Sequence, residues 1–403
     1  MSEWKKVKLG ELYEVHNGLS KGRQFFGSGN PFLTFSTVFN NWFLPETLDS
    51  LVQSSEKERE ACSIKRGDVF ITRTSETMDE LGMSSVALKD YPNATYNGFT
   101  KRLRPTTDDV IPEYIGYYLR SKKFRGKFMA FSSMTTRASL ANDDLLSMEV
   151  EIPDKSIQHR IATILSRYDS LIENYQKQIK LLEEAAQRLY KEWFVDLHFP
   201  GHENTKIVDG VPKGWEKKKV KDVVELQSGY AFKSSTFEEG CPYKIVTIKN
   251  VKDGVFEGEN VSTVRTVPEK MPNHCFLKDG EILLSLTGNV GRVCMVIGEN
   301  YLLNQRVAKL KTDYSAFTYS LFRSHEMFIT VCNLANGAAQ QNVSPIRIGD
   351  IDTVLANSEL MEKFERVAGV YVDEIIKHHR QIRLLTEARN RLLPKLMSGE
   401  IEI

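Results

Sequence analysis

The sequence predicts an α+β protein in which two mixed α/β domains are separated by two long helices. These helices are expected to pair as an antiparallel coiled coil, within a pseudo-twofold repeat. Three observations predict this class: an internal repeat, two segments with heptad periodicity, and short β-rich runs between turns. The expected parts are a first domain at 1–153, a long helix at 154–197, a linker at 198–214, a second domain at 215–357 and a second long helix at 358–403.

The repeat relates the two halves of the chain. Trp4 and Trp215, which are 211 residues apart, each open a lysine-rich run, and Gly18 matches Gly229 at the same offset. Later matches drift by small insertions, but they keep the same order along the chain. This shared order indicates a duplicated domain.

The long helices repeat more clearly than the domains. Residues 172–189 and 375–392 are identical at about half of their positions, and apolar residues recur in alternating steps of four and three. This 3.5-residue period is typical of helices that pair along a narrow seam. The predicted seam residues are Ile161, Leu165, Tyr168, Ile172, Ile179, Leu182 and Leu189 in the first helix and Ile375, Ile382, Leu385 and Leu392 in the second.

The second helix has three irregular positions, two of them on the seam. His378 and Arg389 fall on the seam, where polar residues weaken pairing but can set register or partner choice. Pro394 is expected to break or bend the helix near its end.

The domains are predicted to be mixed. Short β-rich runs at 68–72 and 281–285 alternate with turns, and a helical stretch is expected near 112–131. A linker rich in glycine and proline, 199–214, follows the first helix.

The composition excludes several classes of protein. The 54 Lys and Arg nearly balance the 53 Asp and Glu, so any nucleic-acid footprint must be local. The five cysteines are scattered, which argues against a disulfide framework or a zinc cluster. The sequence has no apolar run long enough to span a membrane and no signal peptide. We therefore expect a cytoplasmic protein.

No catalytic motif stands out. Phe25–Asn30 fits the F-x-G-x-G pattern of methyltransferase cofactor loops, but polar residues precede it and Pro31 follows, so we interpret it as a turn. The sequence contains no P-loop and no H-E-x-x-H motif. Scattered carboxylates leave a sparse nuclease site open, although nothing in the sequence points to one. We expect neither catalytic nor metal-binding residues.

Candidate nucleic-acid contacts form local sets. Basic residues concentrate between 100 and 140, as phosphate binding requires. Asn, Gln and Arg, the side chains that read adenine and guanine, cluster at 304–306 and 340–342. An ordinary solvated surface is the alternative for any one of these residues. The candidate DNA contacts are Arg73, Thr74, Lys101, Arg102, Arg137, Thr287, Asn304, Gln305, Arg306, Gln340, Gln341 and Asn342.

The helical segments resemble those of a known family. Ile157–Leu165, Arg188–Asp196 and Arg391–Ile401 are similar to conserved regions of the specificity (S) subunits of type I restriction–modification enzymes. The start of the second helix, Leu360–Phe364, departs from the usual family sequence, which contains Glu-Gln. The resemblance covers essentially the whole chain.

The resemblance implies a non-catalytic protein with two target-recognition domains, each reading one half of a split site in double-stranded DNA. The paired helices would set the spacer and dock two modification (methyltransferase) subunits, and two restriction (translocase/nuclease) subunits would join them. S-adenosylmethionine, ATP and Mg are then expected only in those partner subunits, and no cofactor in this chain.

Two alternatives remain at this point. A self-contained DNA methyltransferase would transfer methyl groups as a purified chain. A protein-only coiled-coil scaffold would not bind DNA in a salt-dependent way.

Overall fold

A computed structural model describes residues 4–75, 81–131, 138–139, 141–259, 261–335 and 341–403. The chain forms two compact units: Met1–Ser170 together with Leu385–Ile403, and Leu171–Leu384. We call them unit 1 and unit 2. None of the helices within the described ranges is long and apolar enough to cross a membrane.

Unit 1 is built on an antiparallel sheet and a pair of helices. Its strands are β1 (Lys5–Lys8), β2 (Tyr13–Asn17), β3 (Phe26–Leu33), β4 (Leu51–Val52), β5 (Val69–Thr72), β6 (Thr74–Ser75), β7 (Ser84–Val86), β8 (Thr95–Tyr96), β9 (Thr100–Pro105), β10 (Ala138–Ser139) and β11 (Glu149–Ile152). Its short helices are α1 (Leu9–Leu12), α2 (Phe35–Asn40), α3 (Glu56–Ala61), α4 (Pro112–Arg120), α5 (Lys122–Phe131) and α6 (Asn142–Ser147).

The sheet of unit 1 has the order β2-β9-β5-β7, and a smaller sheet has the order β4-β3-β8. The predicted strand at 68–72 is observed as β5, whose four residues are all buried. The predicted helical stretch is observed as α4 and α5, which are separated by Ser121 in an extended conformation. Tyr114, Tyr117 and Phe124 on these helices are buried against the sheet residues in one core.

Two long helices pass from one unit into the other: α7 (Lys155–Tyr190), which continues as a π-helical turn to Val195, and α11 (Ser358–Ser398). They are the helices predicted at 154–197 and 358–403. The division of the whole chain into five parts stays a prediction.

Unit 2 has the same plan as unit 1. Its strands are β12 (Ile207–Val208), β13 (Val211–Pro212), β14 (Glu216–Lys219), β15 (Glu225–Ser228), β16 (Tyr243–Val246), β17 (Ser262–Val264), β18 (Phe276–Leu277), β19 (Ile282–Ser285), β20 (Val293–Met295), β21 (Tyr301–Leu303), β22 (Val307–Lys311) and β23 (Asp352–Leu355). Its short helices are α8 (Ser315–Arg323), α9 (His325–Leu334) and α10 (Pro345–Gly349).

The topologies of the two units match strand for strand in their main sheets. The order β15-β22-β19-β20 in unit 2 corresponds to β2-β9-β5-β7 in unit 1, and the pair β14-β23 corresponds to β1-β11. The helix pair α8 and α9 follows its sheet as α4 and α5 follow theirs. The predicted fold class, a mixed α/β repeat with long helices, is confirmed.

The long helices pair within each unit. In unit 2 the ring centroids of Trp193 and Phe364 lie 5.6 Å apart and those of Tyr175 and His378 lie 4.9 Å apart, so the two helices run in opposite directions. In unit 1, Ile161 and Leu165 of α7 share a core with Leu396 of α11. The other predicted seam residues, Tyr168, Ile172, Ile179, Leu182, Leu189, Ile375, Ile382, Leu385 and Leu392, are buried or half-buried.

The irregular seam positions have polar or aromatic partners. His378 contacts Tyr175, and the Arg389 guanidinium donates to Asp169 Oδ1 at 2.5 Å. Asp169 also accepts a hydrogen bond from the Tyr117 hydroxyl at 2.5 Å, so Asp169 joins both long helices to α4. An ion pair at this seam position fixes the register of the two helices in unit 1.

Two local predictions differ from the structure. α11 does not break at Pro394 but continues to Ser398, and the predicted alternative, a bend near the end of the helix, stays a prediction. The glycine-containing segment Phe25–Asn30 lies mostly in β3 and not in a turn. The register of β3 shifts between Phe26 and Asn30, where Gly27 (φ +98°) and Gly29 (φ +105°) accommodate a bulge.

Candidate nucleic-acid interface

Three separate segments of unit 2 meet at one end of β19 and β22, the two central strands of its main sheet. Thr287 follows β19, Asn304–Arg306 connects β21 to β22, and Gln341–Asn342 precedes α10. These segments contain six of the residues predicted as DNA contacts: Thr287, Asn304, Gln305, Arg306, Gln341 and Asn342. The fold brings them together although they are up to 55 positions apart.

Backbone and side-chain hydrogen bonds fix this arrangement. The Thr287 hydroxyl donates to Asn342 Oδ1 at 2.7 Å, and the Gly288 amide donates to the Gln341 carbonyl at 2.9 Å. The Leu286 amide donates to the Arg306 carbonyl at 3.0 Å, which joins the second segment to the first. The three segments therefore form one connected surface.

This surface forms an open groove of about 520 Å³. Gln305 and Arg306 are exposed, and among the described residues neither side chain has a hydrogen-bond partner. An arginine can bind guanine or a phosphate, and a glutamine can bind adenine. The groove is lined by Ser228, Leu286, Thr287, Gln305, Arg306, Asn342, Val343, Ser344 and Pro345.

Unit 1 contains an equivalent loop, Asn97–Phe99, between β8 and β9. The Gly98 amide donates to the Leu19 carbonyl at 2.9 Å, as the Gln305 amide donates to the Tyr230 carbonyl at 3.0 Å in unit 2. The Arg73 amide donates to the Phe99 carbonyl at 3.0 Å, as Leu286 does to Arg306. Phe99 therefore occupies the position of Arg306.

The glycines matched by the repeat make this loop geometry possible. A Cβ atom on Gly18 would lie 2.2 Å from the Asn97 carbonyl oxygen, and one on Gly229 would lie 2.4 Å from the same oxygen of Asn304. Any larger residue would displace the loop. The matched glycines were thus a sequence signal for Asn97–Phe99, a loop that the sequence-based prediction missed.

Two predicted contacts are wrong in placement. Lys101 and Arg102 lie on β9 and are only 4 % and 2 % exposed. The Arg102 guanidinium donates to the Ser63 carbonyl at 2.7 Å, and the Lys101 ammonium donates to Asn142 Oδ1. Burial, together with the nearby charge of Arg73, lowers the pKa of Lys101. Both cations are buried and hydrogen-bonded to groups of unit 1, so their side chains are not available to contact DNA.

Several other basic residues between 100 and 140 also form ion pairs or hydrogen bonds with groups of unit 1. Arg104 pairs with the buried Asp68 at 2.7 Å, and Lys123 pairs with Glu151 at 2.5 Å. Arg120 donates to backbone carbonyls, including that of Asn41 at 2.9 Å, and its burial lowers its pKa to about 10. Clustering in the sequence did not mean clustering on the surface.

The remaining predicted residues lie near the unit 1 loop or outside the described ranges. Arg73 is half-buried beside Phe99, to which its amide is bonded. Thr74 lies in β6, which pairs with β10 as Thr287 pairs with Asn342. Arg137 and Gln340 lie outside the described residues.

Comparison with known proteins gives consistent matches. The family model described as "Type I restriction modification DNA specificity domain" matches residues 1–184 and 212–349. The chain is 25 % identical to the type I restriction enzyme MjaIX specificity subunit of Methanocaldococcus jannaschii, over 100 % of this chain and 94 % of that protein. It is 22 % identical to the HindI specificity subunit of Haemophilus influenzae, over the full length of both.

One solved structure matches over nearly the whole chain. The crystal structure of the type I restriction–modification system S subunit from M. genitalium superposes with a TM-score of 0.57 at 15 % identity, covering 98 % of this chain and 96 % of that one. This likeness supports the fold.

Proposed function

Because this chain belongs to the type I restriction–modification DNA specificity family, we propose that each of its two units reads one half of a split sequence in duplex DNA. The observation that supports this most directly is the loop that both units present at the same end of the central strands of their main sheets. Asn97–Phe99 and Asn304–Arg306 are fixed by equivalent backbone hydrogen bonds. Two equivalent loops, one in each unit, are suited to a DNA site that has two halves.

In unit 2 the chemistry of the groove suits base edges. Exposed Arg306 can donate two hydrogen bonds to guanine O6 and N7 in the major groove. Exposed Gln305 can donate to adenine N7 and accept from the adenine N6 amino group, and Asn342 can contribute a third polar group. The formal net charge of the chain is only +1, so attraction to phosphates must come from local cations. Binding should still weaken as the salt concentration rises.

We propose that the chain is the non-catalytic member of a complex. Two modification subunits would supply S-adenosylmethionine and the methyl-transfer chemistry, and two restriction subunits would supply ATP- and Mg-dependent translocation and cleavage. The proteins to which it is similar are named as specificity subunits of such enzymes. We place its action in the cytoplasm, where free thiols such as its five cysteines stay reduced.

The test is to map methylated sites in cells that express the chain with its modification subunit. We expect one bipartite motif. Arg306→Ala should relax or lose one half of it, with about 1–3 kcal/mol weaker binding at that half, and leave the other half intact. Arg265→Ala is the matched control, since Arg265 is an exposed arginine of unit 2 that pairs with Glu238.

Other outcomes would favour the alternatives. Methyl transfer by the purified chain alone would identify a self-contained methyltransferase. A complex whose binding to duplex DNA does not depend on salt or sequence would favour a protein-only scaffold. A methylated motif without a spacer between two halves would contradict the proposal that each unit reads one half of a split site.

A further inference from the structure

Phe99 is the most exposed aromatic side chain among the described residues, with 60 % of its surface accessible. Exposed apolar residues are common on proteins, so exposure alone does not indicate a function. The position of Phe99 does. It lies at the tip of the loop that corresponds to the one bearing Gln305 and Arg306 in unit 2.

The backbone of this loop is rigidly fixed in both units. The Asn97 amide donates to the Leu33 carbonyl at 3.0 Å, and the Asn304 amide donates to the Val246 carbonyl at 3.1 Å. In unit 1 the Phe99 amide also donates to Asn97 Oδ1 at 2.6 Å, which stabilises the turn. The ring therefore projects from a fixed main chain and not from a loose segment.

The equivalence determines which chemistry Phe99 would meet. Arginine and glutamine at the matching positions suit the hydrogen-bonding edges of bases in the major groove. A phenyl ring at the same position would enter the same groove but cannot form those hydrogen bonds. The one apolar group that bases present in the major groove is the C5-methyl of thymine.

Resting on the proposed function, we propose that Phe99 reads a thymine methyl group in the half-site bound by unit 1. Unit 2 would then read its half-site by hydrogen bonds, and unit 1 would read at least one base pair by van der Waals contact. The two halves of the target would differ in the chemistry by which they are recognised.

The test uses the complex of the full chain with its modification subunit. The half-site relaxed by Arg306→Ala is assigned to unit 2, and the other to unit 1. Each thymine of the unit 1 half-site is then replaced by deoxyuridine, which lacks only the methyl group. We expect one replacement to weaken binding by the wild-type complex about fourfold, as the loss of one buried methyl group would.

The same replacement should have no effect on a complex with Phe99→Ala, while Phe99→Leu should retain part of the effect. Phe276→Ala, which removes another exposed phenylalanine from unit 2, should behave as wild type. Circular dichroism and thermal unfolding of Phe99→Ala would show that the fold is unchanged.

Three results would overturn the inference while leaving the proposed function intact: a unit 1 half-site made only of G·C pairs, no sensitivity to deoxyuridine at any position, or equal sensitivity in Phe99→Ala and wild type. A wild-type complex that recognises no bipartite sequence would overturn both.

Discussion

His379 on α11 is half-buried in unit 2, where its imidazole has a hydrogen bond with the backbone of Gly254. Burial disfavours the charged imidazolium and lowers the pKa of His379 to about 4, which the Gly254 bond offsets only in part. Adjacent His378 lowers it further. This histidine therefore stays neutral at neutral pH.

The depressed pKa predicts a loss of stability in acid. Above pH 6.5 the imidazole is neutral in both the folded and unfolded states, so it makes no pH-dependent contribution. Between pH 6.5 and about 4 only the unfolded state binds the proton, so stability falls as the pH falls, by up to about 3 kcal/mol. Denaturant unfolding of the chain across this range should show a steeper fall for wild type than for His379→Gln.

The matched control is His159→Gln, which removes an exposed histidine of α7 and measures the effect of the substitution itself on the profile. Parallel profiles for wild type and His379→Gln would show that His379 does not titrate differently in the folded state.

Burial also explains why two residues were wrongly predicted from the sequence to contact DNA. Lys101 and Arg102 are adjacent, and a cationic pair in a basic stretch indicates a solvated surface. β9 lies in the middle of its sheet with both faces covered, so neither side chain reaches solvent. In contrast, Gln305 and Arg306 lie in a connection between strands, where polar residues are expected to be exposed.

At the scale of the elements, each long helix caps a short helix of the domain that precedes it. In unit 1 the Gln158 side chain of α7 accepts a hydrogen bond from the Ile111 amide at 3.0 Å, at the start of α4. In unit 2 the Glu365 carboxylate of α11 accepts from the Ala316 and Phe317 amides of α8 at 3.0 and 2.8 Å. Both satisfy amides that the helix itself leaves unbonded.

This capping explains a departure in the second copy of the helix. Met361 stands where the first copy has Gln158, and it cannot accept a hydrogen bond from the backbone in that way. Glu365, one turn further along α11, does so instead. The second copy therefore keeps an acceptor for the amides at the start of the short helix, but Glu365 supplies it.

Glu365→Ala should therefore destabilise the chain by about 1–3 kcal/mol, because two amides at the start of α8 would lose their acceptor in a half-buried site. Glu365→Gln keeps one acceptor oxygen and should cost less. Urea unfolding of the purified chain measures both. The exposed Glu362 on the same helix provides a control: Glu362→Ala should change stability by less than about 0.5 kcal/mol. Equal effects of the two alanine variants would rule out capping by Glu365.

The sequence predicted the long helices well because their signal is local and periodic. The burial of the seam follows from residues three and four positions apart, whose relation is visible in the sequence. The continuation of α11 through Pro394 was harder to predict, because the cost of a proline inside a helix can be offset by tertiary packing that the local sequence does not show. Leu393 and Leu396, on either side of it, are buried in the unit 1 core.

At the scale of the whole molecule, both long helices cross from one unit to the other, α7 after Ser170 and α11 after Leu384. If the paired helices set the distance between the two half-sites, lengthening both by one heptad should change that distance. An insertion of seven residues keeps the seam in phase and adds about 10 Å, or about three base pairs.

We predict that heptad insertions after both Ser170 and Leu384 lengthen the spacer of the methylated motif and leave its two half-sites unchanged. Sequencing of methylated DNA measures the spacer. An insertion of the same length after Gly210, in the exposed linker, is the control and should have no effect on it. A spacer that stays the same in the helix variant would contradict the idea that the helices act as a ruler.

The repeat itself could be recognised from the sequence, since Trp4, Gly18 and the helical segments have clear counterparts. The correspondence between the loops Asn97–Phe99 and Asn304–Arg306 could not be recognised in this way. Small insertions shift the offset between the copies from 211 residues at Gly18 to 207 at Asn97, and nothing in Gly98–Phe99 resembles Gln305–Arg306. The matched glycines, Gly18 and Gly229, indicate only a close approach of the backbone at this point of each unit, and the shared hydrogen bonds of the backbone reveal which residues correspond.

Those shared bonds involve amides and carbonyls, which every residue except proline provides alike. The side chains of Phe99 and Arg306 take no part in these bonds, so substitutions at these two positions leave the bonds in place, and each can change independently of the other. If Phe99 and Arg306 read bases, as we propose, single codon changes at these positions would alter the sequence preference without a compensating change in the interior.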